Sequence, residues 1–495
     1  MTGEPYTPST AQPQVRRHRW LLLLISAAIL VPCFWHRHIE AGDLGSHVYN
    51  AWLAQLIEKG QAPCLYFVRQ WDNVLVDWML LHSANLFGFA AAEKFVVAFC
   101  VLVFFWGVFA LLASFSESPP WFLAPCVAML AYGYSFEMGF LNYYLSIGLA
   151  CVSLLLLWKG RGLTRLAGLL LLPFVFFAHP LGLLWIAGLA FYLLLWYRLP
   201  AWWKLVVPVS AIAFIYCIRM YLARQTRFPV DWVHAPVYIL NGADQLWLFG
   251  RRYSDLGLVA VLFGVLFVAV DLISRRRDKE FWKSLALPAS LYLVALLAVA
   301  FMPENLRPSI SRGWIGLLAS RLTVFTAIFG LCFLARLRPN KWPLLGFSAL
   351  ALAFFAFLYQ DTSRLNRMEI EVDRLVQPLP YGTRVLSTIW APPDSRISFV
   401  AHFVDRACIG RCFSYANYEP SSGQFRIRAR PGSPIVTASD DDSEDMQSGE
   451  YEVQDEDLPM MEIYQCDEQD LTRFCIRSLV SGEKNGRLGY EPPSD

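Results

Sequence analysis

Glu40, Asp43 and His47 can each take or give a proton, and they stand three and four residues apart just beyond the first long apolar run of the chain. On a helix such spacings put side chains on one face, so Asp43 and His47 would be neighbours with Glu40 beside them. A carboxylate at a helix N-terminus is kept ionised by the helix field, which suits a general base. The plainer role for Asp43 is an N-cap, and the two roles are compatible. Asp43 to Leu65 reads as the helix in question. Leu44, Val48, Trp52, Leu53, Leu56 and Ile57 form an apolar stripe, expected to lie face down in a membrane interface.

The elements that must hold these groups are membrane helices. The chain is 56% hydrophobic with mean hydropathy +0.40, and its 18 Trp and 36 Phe suit bilayer interfaces and lipid-facing surfaces. Apolar runs near 20–35, 94–114, 121–137, 141–158, 163–178, 180–197, 203–222, 255–273, 284–302, 320–335 and 342–359 read as eleven spans. Residues 1–19 are expected to form a cytoplasmic tail, polar and disordered over 1–15. Arg16-Arg17-His18-Arg19 leads into a first span that is retained, because no small-residue cleavage site follows and many more spans do. Counting from inside, the loops near 159–165, 198–204, 274–283 and 336–341 carry the Lys and Arg, as cytoplasmic loops do, while the outer turns at 137–141 and 178–180 carry none. An odd number of spans places residues 361–495 outside. The first outer loop, about 37–92, is expected to hold interfacial helices.

Charge divides the same way. Residues 1–360 carry 28 Lys and Arg against 16 Asp and Glu, whereas residues 361–495 carry 14 against 24. The basic residues fall in short loops rather than in an aromatic-interleaved groove, which speaks against nucleic acid as a partner. The tail reads as a small extracytoplasmic α/β domain. A helix continues over 361–377, a turn and strand follow at Tyr381–Ile389, and short strands are expected around 398–404, 424–429 and 476–480. Its Cys408, Cys412, Cys466 and Cys475 are an even set that suggests disulfides, with 408–412 and 466–475 the local pairing among three; a zinc site is the alternative. Residues 438–457 hold ten acids and are expected to be a solvated or disordered loop.

Further polar groups recur at the outer ends of the spans, in turns too short to need them for solubility. They are Glu137, Asn142 and Tyr143; His179-Pro180; Asp231, His234, Asp244, Arg251 and Arg252; and Glu304, Arg307, Arg312 and Arg321. Glu137 reads either as a second acid near a substrate or as a helix-end group, and His179 either as a phosphate or acceptor ligand or as a helix cap. Arg312 and Arg321 stand where positive charge is disfavoured, which suits anion binding; a lone Arg321 snorkelling to headgroups is the alternative. Arg251-Arg252 is a weaker phosphate candidate, and Asp231 and Asp244 read as turn residues. Asp72, Asn73 and Asp77 either line a cavity or face water. There is no internal repeat, no Walker A loop and no G-x-S-x-G element.

A multi-span chain with an acid in its first outer loop, an interfacial helix behind it and an extracytoplasmic C-terminal domain resembles the GT-C superfamily of polytopic glycosyltransferases. The resemblance covers most of the membrane region, on a short motif. It implies transfer of a sugar from a polyprenyl-phosphate carrier to a lipid, glycan or protein acceptor at the outer face of a membrane, the inner membrane of a bacterium being expected. It implies Asp43 as the base, with Glu40 the second choice, and an Arg from the fifth outer loop, Arg312 or Arg321, neutralising the leaving phosphate. His47, Glu137, Asn142 and His179 are the remaining candidates for substrate binding. The family often shows adjacent acids or acid-x-acid, the form that usually holds a divalent ion. Glu40-x-x-Asp43 departs from that, leaving a Mg or Mn ion open. The rival readings are a surface-polysaccharide polymerase or ligase with a lipid-pyrophosphate donor, and a transporter or lipid flippase.

Overall fold

The computed structural model describes residues 12–232, 241–307, 315–338, 341–391, 395–467 and 470–486, and for 12–18 the backbone alone. Helix α1 (Gln12–Phe34) is followed by α2 (Leu44–Glu58), the short strand β1 (Leu65–Phe67), α3 (Leu75–Phe87) and α4 (Phe89–Phe115). Next come α5 (Ala124–Ala131), α6 (Tyr134–Glu137), α7 (Leu141–Lys159), α8 (Leu163–Ala178), α9 (Pro180–Arg198) and α10 (Val206–Arg224). Strand β2 (Val230–Trp232), α11 (Arg251–Ser274), α12 (Lys279–Phe301), β3 (Pro303–Leu306), α13 (Leu318–Leu334) and α14 (Lys341–Val376) complete the membrane part. Among the described residues seven helical segments are long and apolar enough to cross a bilayer: α4, α7, α9, α10 with the turn before it, α11, α12 and α14. Shorter apolar helices are Arg19–Phe34 within α1, α8 and α13. The chain is a helical, multi-pass membrane protein.

Ten of the eleven apolar runs fall on single helices. The run 121–137 does not: it is a 3₁₀ turn, Trp121–Leu123, then α5, a break at Tyr132-Gly133, and the single turn α6. The break has a cause. The Gln245 side chain enters from another loop, and its Oε1 accepts the Ser135 backbone N–H at 3.1 Å and the Ser135 hydroxyl at 3.1 Å. Gly133 lets the backbones meet there, since a Cβ would stand 2.9 Å from the Gln245 carbonyl oxygen.

The two ends of the bundle differ as the loop charges suggest. At one end Arg336 donates to the Phe115 carbonyl at 2.7 Å, and Phe115 meets Trp158, which meets Tyr197, so the basic loops gather there. At the other end the α1–α2 loop, the α6–α7 turn, the α8–α9 turn and the start of α13 gather beneath the tail.

The tail holds a four-stranded sheet in the order β5–β4–β7–β8, from β4 (Arg384–Thr388), β5 (Phe413–Ser414), β7 (Met460–Gln465) and β8 (Phe474–Ser478). β4 is parallel to both neighbours, and β8 closes antiparallel on β7. Expected strands at 381–389 and 476–480 are thus present in part. The expected strand at 398–404 is instead a 3₁₀ turn, Phe399–His402, leading into α15 (Phe403–Cys408). α16 (Tyr418–Ser421) follows, and β6 (Ile427–Ala429) pairs with β1 of the first loop, not with the tail sheet. The acidic stretch is not a featureless loop either. It contains α17 (Asp440–Ser448), capped by the Ser439 hydroxyl on Asp442 N–H, with three aspartates in its first turn where the helix field favours them and Met446 buried beneath. Disulfides join Cys408 to Cys412 and Cys466 to Cys475.

The tail is not a separate body. α2 is buried over Leu44–Leu56, on its polar face as well as its apolar one, with α3 against one side and α15 against another. The expected interfacial placement, apolar face down with the polar face in water, is therefore replaced. Ser46, His47 and Asn50 on the polar face are covered by tail residues that bond to them.

Candidate functional site

Asp43 is placed by backbone contacts that only glycines permit. Gly42 N–H donates to the Glu137 carbonyl at 2.7 Å and Asp43 N–H to the Met138 carbonyl at 3.1 Å. A Cβ on Gly139 would lie 2.4 Å from the Asp43 nitrogen, and its φ of +78° is in the left-handed region. A Cβ on Gly45 would lie 2.5 Å from the His402 carbonyl oxygen. Asp43 stands at the N-cap position of α2, but its side chain makes no capping bond. It points toward the tail: Oδ1 lies 3.7 Å from His402 Nε2, and the side chain keeps 30% of its exposure. His402 Nδ1 is 2.7 Å from Asp405 Oδ2. Asn417 Nδ2 donates to the same Asp405 oxygen at 2.9 Å and to Ser46 Oγ at 3.0 Å. Burial disfavours the imidazolium, but the bond and charge of Asp405 and the charge of Asp43 outweigh it and hold the His402 pKa above its usual value.

One helical turn on, His47 Nδ1 pairs with Asp77 Oδ1 at 2.9 Å and approaches Glu419 Oε1 at 3.5 Å. Burial again opposes charge, yet Asp77 and Glu419 carry the His47 pKa up to about 10. Burial would raise Asp77, but the adjacent His47 charge and bond hold it below the usual carboxylate range. Burial pushes Glu419 up to about 7 against the pull of His47. Ser46 Oγ donates to Glu419 at 3.2 Å and Asn50 Nδ2 to Asn417 Oδ1 at 3.1 Å, so α2 and α16 share one polar network.

The cation opposite is Arg321, at the start of α13. It is part-buried, its guanidinium lies 4.2 Å over the Phe140 ring, and it feels the charges of Asp43 and Glu304. Among the described residues its Nε has no hydrogen-bond partner. Arg396 from the tail lies 4.0 Å over Tyr134 and bonds the Asp244 carbonyl at 2.8 Å, which closes the side of the site. Farther along α13 lies an apolar groove of about 420 Å³, which neither Arg321 nor Asp43 lines. Gly242, Thr326, Ala327, Gly330 and Leu334 are among its lining residues, and the Thr326 hydroxyl is buried there without a partner among the described residues.

The expected site residues separate accordingly. Asp43, His47 and Arg321 converge. Glu40 does not: it is 5% exposed and turned away, its Oε1 accepting from Asn366 Nδ2 at 3.0 Å. Burial raises its pKa against the pull of Arg406. Glu137 is buried beside it, also closed off. Asn142 accepts the Val76 N–H at 2.8 Å and donates to Asp77 at 3.4 Å, so it anchors α3 and reaches the site through Asp77. His179 caps α9, its Nδ1 accepting Leu181 N–H at 3.2 Å, and its ring meets Tyr143 edge-on. Burial and the neighbouring Arg321 push its pKa down to about 3, so it carries no charge for a phosphate. Arg252 is paired with Asp361. Arg312 and His234 lie outside the described residues. His402, Asp405, Tyr418 and Glu419 were not foreseen. The i, i+3 spacing of His402 and Asp405 was their one signal, and it has meaning only on a helix where a strand was expected.

A divalent ion fits this donor set poorly. Asp77 is closed by His47 and Asp405 by His402, and among the described residues no three His, Cys, Asp or Glu side chains converge as ligands. Comparison with protein-family models, with curated proteins and with solved structures finds no match to this chain.

Proposed function

We propose that the chain is an integral-membrane glycosyltransferase of the GT-C kind. It moves a sugar from a polyprenyl-phosphate carrier to an acceptor hydroxyl at the extracytoplasmic face, with Asp43 as general base. The observation that carries this reading is one open carboxylate within electrostatic reach of a part-buried, incompletely bonded guanidinium. In this reading the phosphate of the carrier lies against Arg321. Guanidinium is always charged and matches phosphate geometry, so it stabilises the leaving group as charge develops. The acceptor oxygen attacks the anomeric carbon while the bond from that carbon to the phosphate oxygen breaks. The electron pair leaves on polyprenyl phosphate, the acceptor proton passes to Asp43, and the anomeric configuration inverts.

The break between α5 and α6 lends some support to a transporter instead, because transporters place broken helices at their sites. One experiment separates the two. Native membranes containing the chain are given a panel of labelled polyprenyl-phosphate sugars, and the products are compared with those of Asp43→Asn. Transfer that falls by at least about 100-fold in the variant, with the protein still folded, supports the transferase. Equal transfer by both proteins removes Asp43 as the base. Translocation of the lipid without a new glycosidic bond overturns the transferase reading.

A further inference from the structure

The tail reaches into the site with the imidazole of His402. We propose that His402 is a positioning residue that holds and orients the Asp43 carboxylate for proton abstraction, so that the tail is a working half of the site rather than an appended domain. This rests on the reading of Asp43 as the base.

The geometry is that of an imidazole fixed at one nitrogen and offered at the other. Nδ1 is held by Asp405 at 2.7 Å, and Asp405 is itself fixed by Asn417, which is tied to Ser46 of α2. The ring therefore cannot turn without breaking a chain of buried bonds. Nε2 is left facing Asp43 Oδ1 at 3.7 Å, somewhat longer than a hydrogen bond. The Asp43 side chain is the most exposed member of the network and has room to close that distance, and catalytic contacts are commonly long before substrate binds. The charged and titratable groups around the imidazole are Asp43 before α2, His47 on α2, Asp405 on α15, and Tyr418 and Glu419 on α16. Glu369 of α14 is taken up by Arg406. Carboxylates thus outnumber cations around the ring, and the imidazolium is the form they favour.

Once the 3.7 Å gap closes, such a ring binds one carboxylate oxygen of Asp43, which fixes the plane of the group and leaves the other oxygen for the acceptor. Outer groups that orient a reacting side chain in this way are commonly worth about 10–100-fold when removed.

The test uses the full chain in membranes, with His402→Gln, His402→Ala and Asp43→Asn. For His402→Gln the expected result is a kcat about 10–100-fold lower with KM for the donor little changed. His402→Ala should fall further than His402→Gln, which keeps a donor. A residue needed only for folding would lower the amount of active enzyme and leave kcat per folded molecule unchanged in both variants. A second measurement does not depend on turnover: the infrared carboxylate stretch of Asp43, isolated by subtracting Asp43→Asn spectra. Its band should move in His402→Ala, where the oxygen facing the ring loses its donor. Transfer that is lost in Asp43→Asn, together with an unchanged kcat and an unmoved carboxylate band in His402→Ala, overturns the role of His402 and leaves the transferase standing. A moved carboxylate band in a protein that transfers no sugar confirms the contact and overturns the transferase.

Discussion

Arg406 offers the sharpest test of how the tail is held. Its guanidinium is 8% exposed and enters the bundle from α15. Nη1 donates to Glu369 Oε2 at 2.9 Å, Nη2 donates to the Ile39 carbonyl at 3.0 Å, and Nε lies 3.7 Å from Glu93 Oε2. Glu40 stands close enough to add its charge. One buried cation therefore faces three buried carboxylates. Arg406→Met keeps most of the side chain's volume and removes the charge. Removing one partner of a buried ion pair costs about 3–5 kcal/mol, because the other charge stays behind unpaired. Loss of the Ile39 bond adds about 1 kcal/mol. The carboxylates can relax only by taking protons or by letting the tail lift away.

The assay is proteolysis under graded urea, which reads opening of the tail through cleavage near the exposed turn at Tyr381-Gly382. Arg406→Met should make that opening easier by the stated amount. Glu369→Gln in the same chain should recover part of it, with a coupling of about 0.5–3 kcal/mol, since one uncompensated charge is removed. The pH dependence has a definite sign. The Glu40 pKa is raised in the folded protein, so its contribution is present below the ordinary carboxylate range and is lost as pH rises through the folded value. Arg406 holds that value down, so the deficit of Arg406→Met should shrink on acidification. A deficit under about 1 kcal/mol, or a Glu369→Gln change that worsens it, would refute the account of Arg406 as the clasp.

Two further outcomes are expected. The His47 pKa is raised from 6.5 to about 10, so the stability its ion pair supplies is complete below pH 6.5 and is lost as pH climbs toward 10. Asp77, held low, loses its share on the acid side. Thermal unfolding followed across pH should show that alkaline loss in the native chain and not in His47→Gln; parallel curves would count against the pair. Asn142→Ala should leave the buried Val76 N–H without its acceptor, at a cost of about 1–3 kcal/mol, whereas Asn142→Asp keeps the acceptor. Hydrogen exchange at the start of α3 should quicken in the first variant and stay slow in the second, and unchanged exchange in both would contradict the anchoring role.

Hydropathy and loop charge were legible from the sequence because each is a property of single segments. Ten apolar runs became single helices, and the polar turns gathered at one end of the bundle. What was not legible depends on a partner distant in the chain. Nothing in residues 121–137 announces that Gln245 will bond Ser135 and interrupt the helix. The stripe on α2 was visible, but Ser46, His47 and Asn50 read as a wet face because the residues that cover them, Asn417 and Glu419, lie some 370 positions away. The acidic run was judged by its charge, although Ser439 followed by three aspartates is also a helix-start signal.

The spacing of Glu40 and Asp43 shows how far one such detail reaches. Three apart on a helix they would share a face and compete for one role. The helix begins only at Leu44, so the spacing has no helical meaning for Glu40, while His47 N–H still bonds the Asp43 carbonyl at 3.0 Å and those two remain on one turn. The bend at Ala41-Gly42 then sends the two acids in opposite directions. Glu40 enters the bundle, where Asn366 bonds it and Arg406 faces it. Asp43 remains at the open end, where His402 and Arg321 are the charges that face it. His402 stands just before α15 and Arg406 lies within it, four residues on, so the segment that clamps the tail to the bundle also delivers the imidazole to Asp43. Loosening the clasp should therefore weaken the site in step with tail opening, although Arg406 itself bonds Glu369 and Ile39 rather than Asp43.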